Sequence, residues 1–275
     1  MDKSIAIIIP NYNKSKYLKE CLDSAVNQTY QNKEIIFVDD CSTDNSLEIA
    51  YEYEKNYKFF KVIALKQNAG VSNARNIGVE NCNSDYIVFL DSDDVYVNKD
   101  KLLNEMQIVD TYKIAFSQHV TLAENGTQLP LIPVEKNLYA SKYAIVDLLL
   151  ITRKNHEQLR GYVISKNLFN EINGYDTSLN IYEDLDLQSR LALKARFVYT
   201  YDIGEGYRRN TGGLSFVKQQ QATTTIKAIR KKYFKKLSLW GKIVYLFKKV
   251  TFFVKTKFKN LIIKLKRKIK PNKTK

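Results

Sequence analysis

The sequence predicts an α/β fold in which a doubly wound, mostly parallel sheet carries helices on both faces. Short apolar runs typical of buried strands alternate with segments whose apolar residues recur every three or four positions, as in amphipathic helices. Each strand-helix-strand unit favours a right-handed crossover, which makes consecutive strands parallel. With 275 residues and 44% hydrophobic composition, the chain can bury a full core.

The predicted elements follow in a regular order over roughly the first 90 residues. The strands are "SIAIIIP", "KEIIFVDD", "FKVIALKQ" and "DYIVFLD", and the helices between them are "KSKYLKECLDSAVNQ", "STDNSLEIAYEYEKN" and "VSNARNIGVENC". The first apolar run, Ile5 to Ile9, is ended by Pro10 and is too short for a membrane span or a signal-peptide core. We therefore expect the body to stay in the cytoplasm. The sequence pattern is least informative between residues 115 and 161. The two histidines, His119 and His156, are interpreted as ordinary surface or core residues and not as ligands.

The charge is unevenly distributed along the chain. Residues 218–275 contain 20 of the 44 lysines and arginines and none of the 29 acidic residues. This difference predicts a globular body, 1–217, and a basic extension, 218–275, with separate functions.

The extension also has an apolar periodicity. Trp240, Phe247, Val254 and Phe258 belong to a series spaced by three and four, with lysines between them. No apolar run approaches the ~20 residues that a membrane span requires. The pattern predicts one or two basic amphipathic helices, with 219–275 lying on an anionic membrane surface. Packing of these helices on the body or on a second subunit remains the alternative.

Polar and acidic residues follow the predicted strands at the ends where ligands bind in parallel sheets. They are Pro10, Asn11 and Tyr12 after the first strand, Asp39 and Asp40 after the second, Asn68 after the third, and Asp91, Asp93 and Asp94 after the fourth. Carboxylates crowded at one edge repel one another unless a cation lies among them. Oxygen ligands without a histidine or cysteine cluster predict Mg²⁺ or Mn²⁺. Alternatively, Asp91 to Asp94 cap the following turn.

No glycine-rich phosphate loop of the G-x-G-x-x-G or G-x-x-x-x-G-K-[ST] type is present in the sequence. Phosphate groups would therefore be neutralised by a metal and by basic side chains, for which Arg75, Arg208 and Arg209 are the candidates. For Arg75 an internal salt bridge is the alternative, and for the arginine pair a solvated loop.

Five sequence blocks in consistent order over roughly residues 3–217 resemble glycosyltransferase family 2, whose members have a GT-A type nucleotide-sugar-binding fold. The blocks are the segment from "IIIPNYN" to "VDDCSTDNS", "NAGVSNARNIG", "FLDSDD", "INGYDTSLNIYEDLDLQSRL" and "YRRNTGGLS". The resemblance divides the body into a nucleotide-sugar-binding half, 1–110, and an acceptor half, 111–217.

The resemblance implies roles for individual donor-side residues. Pro10 and Tyr12 would lie along the nucleoside, and Asp40 or Asp39 would accept from a uracil imide. Asn68 and Arg75 would line the base and diphosphate, and Asp91 would touch ribose or sugar. Asp93 and Asp94 would carry the metal, and Arg208 would reach the diphosphate. In the closing block Asn210 stands where many relatives have histidine, which leaves a contact there in question.

The resemblance also implies the chemistry. Asp184 matches the catalytic base, and Glu183 contacts the acceptor or orients the site. In the alternative interpretation these acidic residues only complement the dipole of the following helix. The implied activity is inverting, metal-dependent transfer of a sugar from a nucleoside diphosphate, with UDP expected, to a hydroxyl of a glycan or lipid-linked acceptor in bacterial surface polysaccharide synthesis. The protein would then lie at the inner face of the cell membrane.

Two other functions stay open on the sequence alone. The basic extension would suit a nucleic-acid-binding protein, although no nucleic-acid partner is expected because the five ordered blocks would then be accidental. An inactive nucleotide-sugar-binding scaffold would keep the fold without catalysis.

Overall fold

The structure, a computed structural model, describes residues 3–110, 113–130, 159–209 and 219–251. The strands are β1 Ile5–Asn11, β2 Lys33–Asp39, β3 Phe60–Ala64, β4 Tyr86–Phe89, β5 Val95–Tyr96, β6 Lys113–Leu122, β7 Ile164–Ser165 and β8 Arg196–Arg208. The helices are α1 Ser15–Val26, α2 Ser46–Asn56, α3 Val71–Glu80, α4 Lys101–Ile108, α5 Lys166–Glu171, α6 Glu183–Ala192 and α7 Gln219–Phe234, and a further helical segment covers 239–251.

The main sheet has the strand order β3-β2-β1-β4-β7. β1 pairs in parallel with β2 and β4, and β2 pairs in parallel with β3, whereas β7 is antiparallel to β4. The mostly parallel sheet predicted from the sequence is thereby confirmed. Its strand ends place Asn11, Asp39 and the residues after Phe89 at one edge.

A second sheet extends the first toward the C-terminal half. Its order is β5-β8-β6, with β6 parallel and β5 antiparallel to β8. The backbones of Ala115 in β6 and Val163, just before β7, exchange two hydrogen bonds of 3.1 and 2.8 Å. This bridge joins the sheets, so β8 delivers its C-terminal residues beside the turn between β4 and β5.

Apolar cores lie on both faces of the main sheet, as a doubly wound fold requires. All seven residues of β1 are buried, with Ile5, Ile7 and Ile9 facing one core and Ala6 and Ile8 the other. Helices α1 and α2 cover the first core, and α3, α5 and α6 cover the second. Such two-sided burial explains why the parallel strands are continuous apolar runs.

Helix α7 packs on the body. Ile229 and Tyr233, with Leu237 just after the helix, are buried in the same core as Leu185 and Leu191 of α6. Close packing therefore continues about 20 residues beyond the predicted boundary at 217/218, and that boundary stays a prediction.

The segment 239–251 presents an apolar face to solvent. Its exposed residues include Trp240 and Phe247, which are 68% and 70% exposed, whereas Val244, which belongs to the predicted apolar series, packs toward the body. The predicted positions Val254 and Phe258 lie outside the described residues. Within the described part of the chain, no helix combines the length and apolarity needed to traverse a lipid bilayer.

Candidate active site

The first part of the site is a hydrogen-bonded cluster at the ends of β1 and β2. The Asn11 side-chain amide donates to Asp39 Oδ1 at 2.9 Å, and the Ser42 backbone N–H and hydroxyl donate to Asp39 at 2.8 and 2.6 Å. Asp39 is buried. Its carboxylate thus holds the loop that follows β2 against the end of β1.

Asp40 fixes the neighbouring loop that leads into α3. Its two carboxylate oxygens accept the backbone N–H groups of Ala69 and Gly70, each at 2.8 Å, and its carbonyl accepts from the Asn68 amide at 3.1 Å. Gly70 has φ +89°, a conformation that favours glycine. The predicted residues Asp40 and Asn68 therefore meet, and the buried carboxylate holds a loop at the edge where a nucleoside would lie.

Tyr12 and Pro10 lie at the same edge. Pro10 belongs to buried β1, and Tyr12 follows the strand with 46% of its surface exposed. Because the Tyr12 ring is partly exposed at the end of the strand, a planar ligand could stack on it.

The turn after β4 brings three aspartates to the rim in different environments. The Asp91 carboxylate accepts from Arg75 at 2.6 Å and from Arg160 at 3.1 Å. Asp93 accepts from Lys14 Nζ at 2.6 Å, and its side chain is 17% exposed.

Asp94 is 1% exposed and joins β8 to the rim. Its Oδ1 accepts the Arg208 backbone N–H at 2.7 Å, and its Oδ2 accepts from Arg160 at 2.9 Å. Burial raises the pKa of the Asp94 carboxyl well above its usual range. The charges of Asp91 and Asp93 raise this pKa further, whereas the charge of Arg160 lowers it.

Arg160, which was not predicted, lies at the centre of this acidic cluster. Besides Asp91 and Asp94, its Nε lies 3.6 Å from Glu205 Oε1, and its guanidinium lies 4.0 Å from the centroid of the Tyr207 ring. Burial opposes its charge, but the surrounding carboxylates raise the pKa of Arg160 above its ordinary value. The cluster therefore carries a permanent positive charge that offsets part of the carboxylate repulsion.

Arg208 at the end of β8 lies against the Asp93 backbone. Its Nε donates to the Asp93 carbonyl at 3.0 Å, and its Nη2 donates to Glu20 at 2.6 Å. The guanidinium also lies 5.1 Å from the centroid of the Tyr17 ring. Arg208, predicted to contact the diphosphate, thus lies beside Asp93, predicted to bind the metal. Asn210 lies outside the described residues.

The acidic residues of α6 approach the donor side through Arg75. Arg75 Nη1 donates to Glu183 Oε1 at 3.2 Å while Nη2 donates to Asp91, and the guanidinium lies 5.0 Å from the centroid of the Tyr175 ring. Arg75 is buried, and Glu183 and Asp184 form the first turn of α6. The predicted catalytic pair and the predicted donor residue Asp91 therefore share one arginine.

The two acids of the pair differ in environment. Burial and the charge of Asp184 raise the pKa of the Glu183 carboxyl, which Arg75 partly offsets. The charge of Asp184 contributes to raising the pKa of the buried Tyr162 and Tyr175 hydroxyls, for which burial is the main cause. Asp184 Oδ1 accepts the Leu185 backbone N–H at 2.8 Å.

The aspartates differ in how well they suit a divalent cation. Among the described residues, no group of three or more histidine, cysteine, aspartate or glutamate side chains forms a ready metal site. Asp94 is poorly placed because both its oxygens accept internal hydrogen bonds in a buried position. Asp93 fits better, because its carboxylate is partly exposed, and Mg²⁺ is usually held by one or two carboxylates together with the phosphates of a substrate.

Three partners of the predicted residues carried no sequence signal. Lys14 and Glu20 lie inside the opening block and Arg160 lies between Leu159 and Gly161, but no spacing pattern distinguishes any of the three from the charged residues around them. They meet Asp93, Arg208 and Asp91 only through the tertiary fold. Sequence spacing could not have identified them.

The fold and the site define a class of protein: an α/β domain with an aspartate cluster and arginines at the carboxyl ends of its strands. Residues 6–131 match the family model described as Glycosyl transferase family 2. For this segment the match bears out the resemblance stated from the motifs, and transferase activity of the whole chain stays a prediction.

Curated relatives include bacterial glycosyltransferases. TuaG of Bacillus subtilis, named for teichuronic acid biosynthesis, is 34% identical over 52% of this chain and 55% of its own length. A poly(ribitol-phosphate) beta-glucosyltransferase of Bacillus spizizenii is 46% identical over 36% of this chain and 16% of its own length. The chain thus spans less than two thirds of these relatives.

Solved structures confirm the GT-A fold. S. aureus TarS in complex with UDP-GlcNAc has a TM-score of 0.68 at 19% identity and covers 86% of this chain and 68% of its own. The mannosyltransferase PcManGT of Pyrobaculum calidifontis, in complex with GDP-Man and Mn²⁺, has a TM-score of 0.57 at 15% identity and covers 86% of this chain and 64% of its own.

Proposed function

We propose that the protein transfers a sugar from a nucleoside diphosphate, with UDP as the favoured carrier, to a hydroxyl group of a bacterial cell-surface glycan or its lipid-linked precursor. The observation that carries this proposal is the convergence of Asp91, Asp93 and Arg208 with the α6 acids at the rim of a family 2 domain. Relatives named for teichuronic acid and poly(ribitol-phosphate) glycosylation support the acceptor class, and TarS with UDP-GlcNAc supports the carrier.

The donor would lie across the strand ends. Tyr12 and Pro10 would flank the base, with Asp40 as the candidate acceptor for the uracil imide and Asp39 fixing the loop beside it. Asp91 would contact ribose or sugar.

Asn68, Arg75 and Arg208 would line the base and diphosphate. Arg208 would stabilise the negative charge that develops on the departing diphosphate.

Asp184 is the proposed general base, because Glu183 is held by Arg75 and is better suited to orienting the site. Deprotonation of the acceptor hydroxyl by one carboxylate is sufficient for a single displacement that inverts the anomeric centre. Asp184 would then act on the acceptor at one face of the anomeric carbon, and Arg208 would act on the diphosphate that leaves from the opposite face.

A divalent cation, Mn²⁺ or Mg²⁺, is proposed to bind at Asp93, with Asp94 as the weaker candidate. When bound, it would neutralise charge on the diphosphate. The PcManGT complex with Mn²⁺ supports the choice of metal.

Isothermal calorimetry with UDP, GDP, ADP and CDP, each with and without Mn²⁺, tests the donor proposal. We expect UDP to bind tightest and Mn²⁺ to strengthen its binding. Absence of binding by every nucleotide would contradict the proposal. If the protein instead bound duplex DNA in a salt-sensitive way, a nucleic-acid-binding function would be favoured. Tight UDP binding without sugar transfer would favour an inactive nucleotide-sugar-binding scaffold.

We also infer that the basic extension holds the protein on the anionic inner surface of the cell membrane. The exposed Leu239, Trp240, Ile243, Leu246 and Phe247 form an apolar face on 239–251, and residues 218–275 contain 20 basic side chains. Each basic residue near an anionic leaflet contributes about 1 kcal/mol, and a buried large apolar side chain adds roughly 1.5–3 kcal/mol before ordering costs. Packing on a second subunit is the alternative.

Vesicle sedimentation tests this inference. The full chain should sediment with vesicles that contain phosphatidylglycerol, and Trp240→Ser with Phe247→Ser should weaken binding even at low salt. Tyr51→Ser, which removes an exposed aromatic on α2, is the matched control. Equal sedimentation of the double variant and the control would contradict membrane attachment, whereas concentration-dependent dimers would favour subunit packing.

A further inference from the structure

Helix α7 contacts the helix that carries the proposed catalytic acids through one buried carboxylate. Asp186 lies one turn into α6, and its Oδ1 accepts from the Tyr233 hydroxyl at 2.6 Å and from Lys232 Nζ at 2.9 Å. Tyr233 is 0% exposed. Two donors from α7 therefore converge on one oxygen atom of α6.

The other oxygen of Asp186 is joined to the turn before Tyr175. Arg190 Nε donates to Asp186 Oδ2 at 2.8 Å, and Arg190 Nη1 donates to the carbonyl groups of Ile172 and Gly174 at 2.6 and 2.5 Å. Although burial alone would raise the pKa of the Asp186 carboxyl, the hydrogen bonds from Tyr233 and Lys232 and the charge of Arg190 lower it. The network requires ionised Asp186.

This network leads directly to the site. The turn ends at Tyr175, whose backbone N–H donates to Asn76 Oδ1 at 2.9 Å and whose ring packs against Arg75. Arg75 in turn bonds Asp91 and Glu183. Asp186 and Glu183 are three positions apart on the same helix, so a rotation or shift of α6 at Asp186 displaces both acids of its first turn.

We propose that Tyr233 is a positioning residue for the transfer reaction: its hydrogen bond to Asp186 fixes the orientation of α6 and thereby places Glu183 and Asp184 against the donor. This inference rests on the proposed function. It makes α7 part of the catalytic domain, and it links the membrane-facing extension physically to the acceptor side.

Steady-state kinetics of Tyr233→Phe in the full chain test the proposal. Phe keeps the buried ring and removes only the hydroxyl, so we expect kcat to fall about 10- to 100-fold, as small displacements of catalytic groups do. The donor KM and the UDP dissociation constant should change much less than kcat, because Arg75 keeps its ion pair with Asp91 when α6 shifts. Hydrogen exchange should accelerate in the first turn of α6 and remain unchanged in β1.

Ile229→Ala is the matched control, because it removes buried packing of α7 without touching Asp186. We expect it to lower the melting temperature at least as much as Tyr233→Phe while kcat stays near wild type. Wild-type kcat in Tyr233→Phe, or an equal loss of kcat in Ile229→Ala, would overturn the positioning role. A wild-type protein without transfer or nucleotide binding would instead overturn the proposed function, and this inference with it.

Discussion

Arg160 and Asp94 form an ion pair of 2.9 Å at the centre of the aspartate cluster, in which Asp94 is buried and Arg160 is partly exposed. The same guanidinium bonds Asp91 at 3.1 Å, so one positive charge holds the first and last aspartates of the turn after β4 in fixed positions. Arg160 therefore helps to set the geometry of the turn in which the Asp93 carboxylate, paired with Lys14, stays partly exposed.

Replacement of Arg160 by methionine should destabilise the fold by about 3 kcal/mol, because it leaves buried carboxylates without their charge partner. Chemical denaturation measures this loss. Arg196→Met, which alters an exposed arginine at the start of β8, is the control and should change stability by less than about 0.5 kcal/mol. Equal stability of the two variants would show that the pair does not support the cluster.

Asp93→Asn and Asp94→Asn should have different effects. Asp93→Asn should retain near-normal stability and lose the Mn²⁺-dependent part of its UDP affinity, since Asp93 is the partly exposed carboxylate. Asp94→Asn should lower stability by about 1–3 kcal/mol, because the Arg208 N–H and Arg160 each bond one of its two oxygens and the amide of Asn keeps only one acceptor oxygen. Calorimetry with and without Mn²⁺, combined with urea unfolding, separates the effects. Unchanged Mn²⁺-dependent affinity in both variants would exclude both as metal ligands.

Asp184→Asn should reduce kcat by about 10²- to 10⁴-fold while the UDP dissociation constant stays near wild type, as expected for loss of a general base. Glu183→Gln is the comparison, and we expect it to reduce kcat less. Single-turnover measurements with a saturating donor provide the test. A larger loss in Glu183→Gln than in Asp184→Asn would transfer the base role to Glu183.

His119 should make the protein sensitive to acid. Burial, with a smaller contribution from Arg160, lowers the pKa of His119 from 6.5 to about 4. Between these values the unfolded chain binds more protons than the folded one, so this contribution to stability is present above pH 6.5 and is lost as the pH falls toward 4. The loss amounts to at most about 1.4 kcal/mol per pH unit.

Urea unfolding at pH 7 and pH 5 measures this dependence. Wild type should lose more stability between the two pH values than His119→Gln, in which the titrating group is absent. The same loss in both proteins would show that His119 titrates normally in the folded state.

The first half of the fold could be predicted because its information is local. Four parallel strands buried on both faces require continuous apolar runs, and the carboxyl ends of such strands meet at one edge. The sequence therefore predicts that four residues lie at one rim: Asp40, Asn68, Asp91 and Asp93. The pairing of β6 with β8 joins residues about 80 positions apart, and no short-range pattern encodes it.

The partners of the site residues were not predictable for a related reason. Arg160 follows a stretch without clear periodicity, and its role depends on three carboxylates from distant segments. The predicted apolar series of the extension begins at Trp240 and does not include Tyr233 and Lys232, which bond Asp186. A buried carboxylate on another helix decides which side of α7 faces the body.

The most direct test of the central claim is the transfer reaction itself. The purified 275-residue chain is incubated with Mn²⁺ and each of a panel of UDP-, GDP- and CDP-linked sugars, together with lipid-linked or polyol-phosphate acceptors, and the released nucleoside diphosphate is measured. We predict acceptor-dependent release of UDP from at least one UDP-sugar, and a reduction of that release by Asp184→Asn. Release from no donor by the wild-type protein, or undiminished release by Asp184→Asn, would contradict the account.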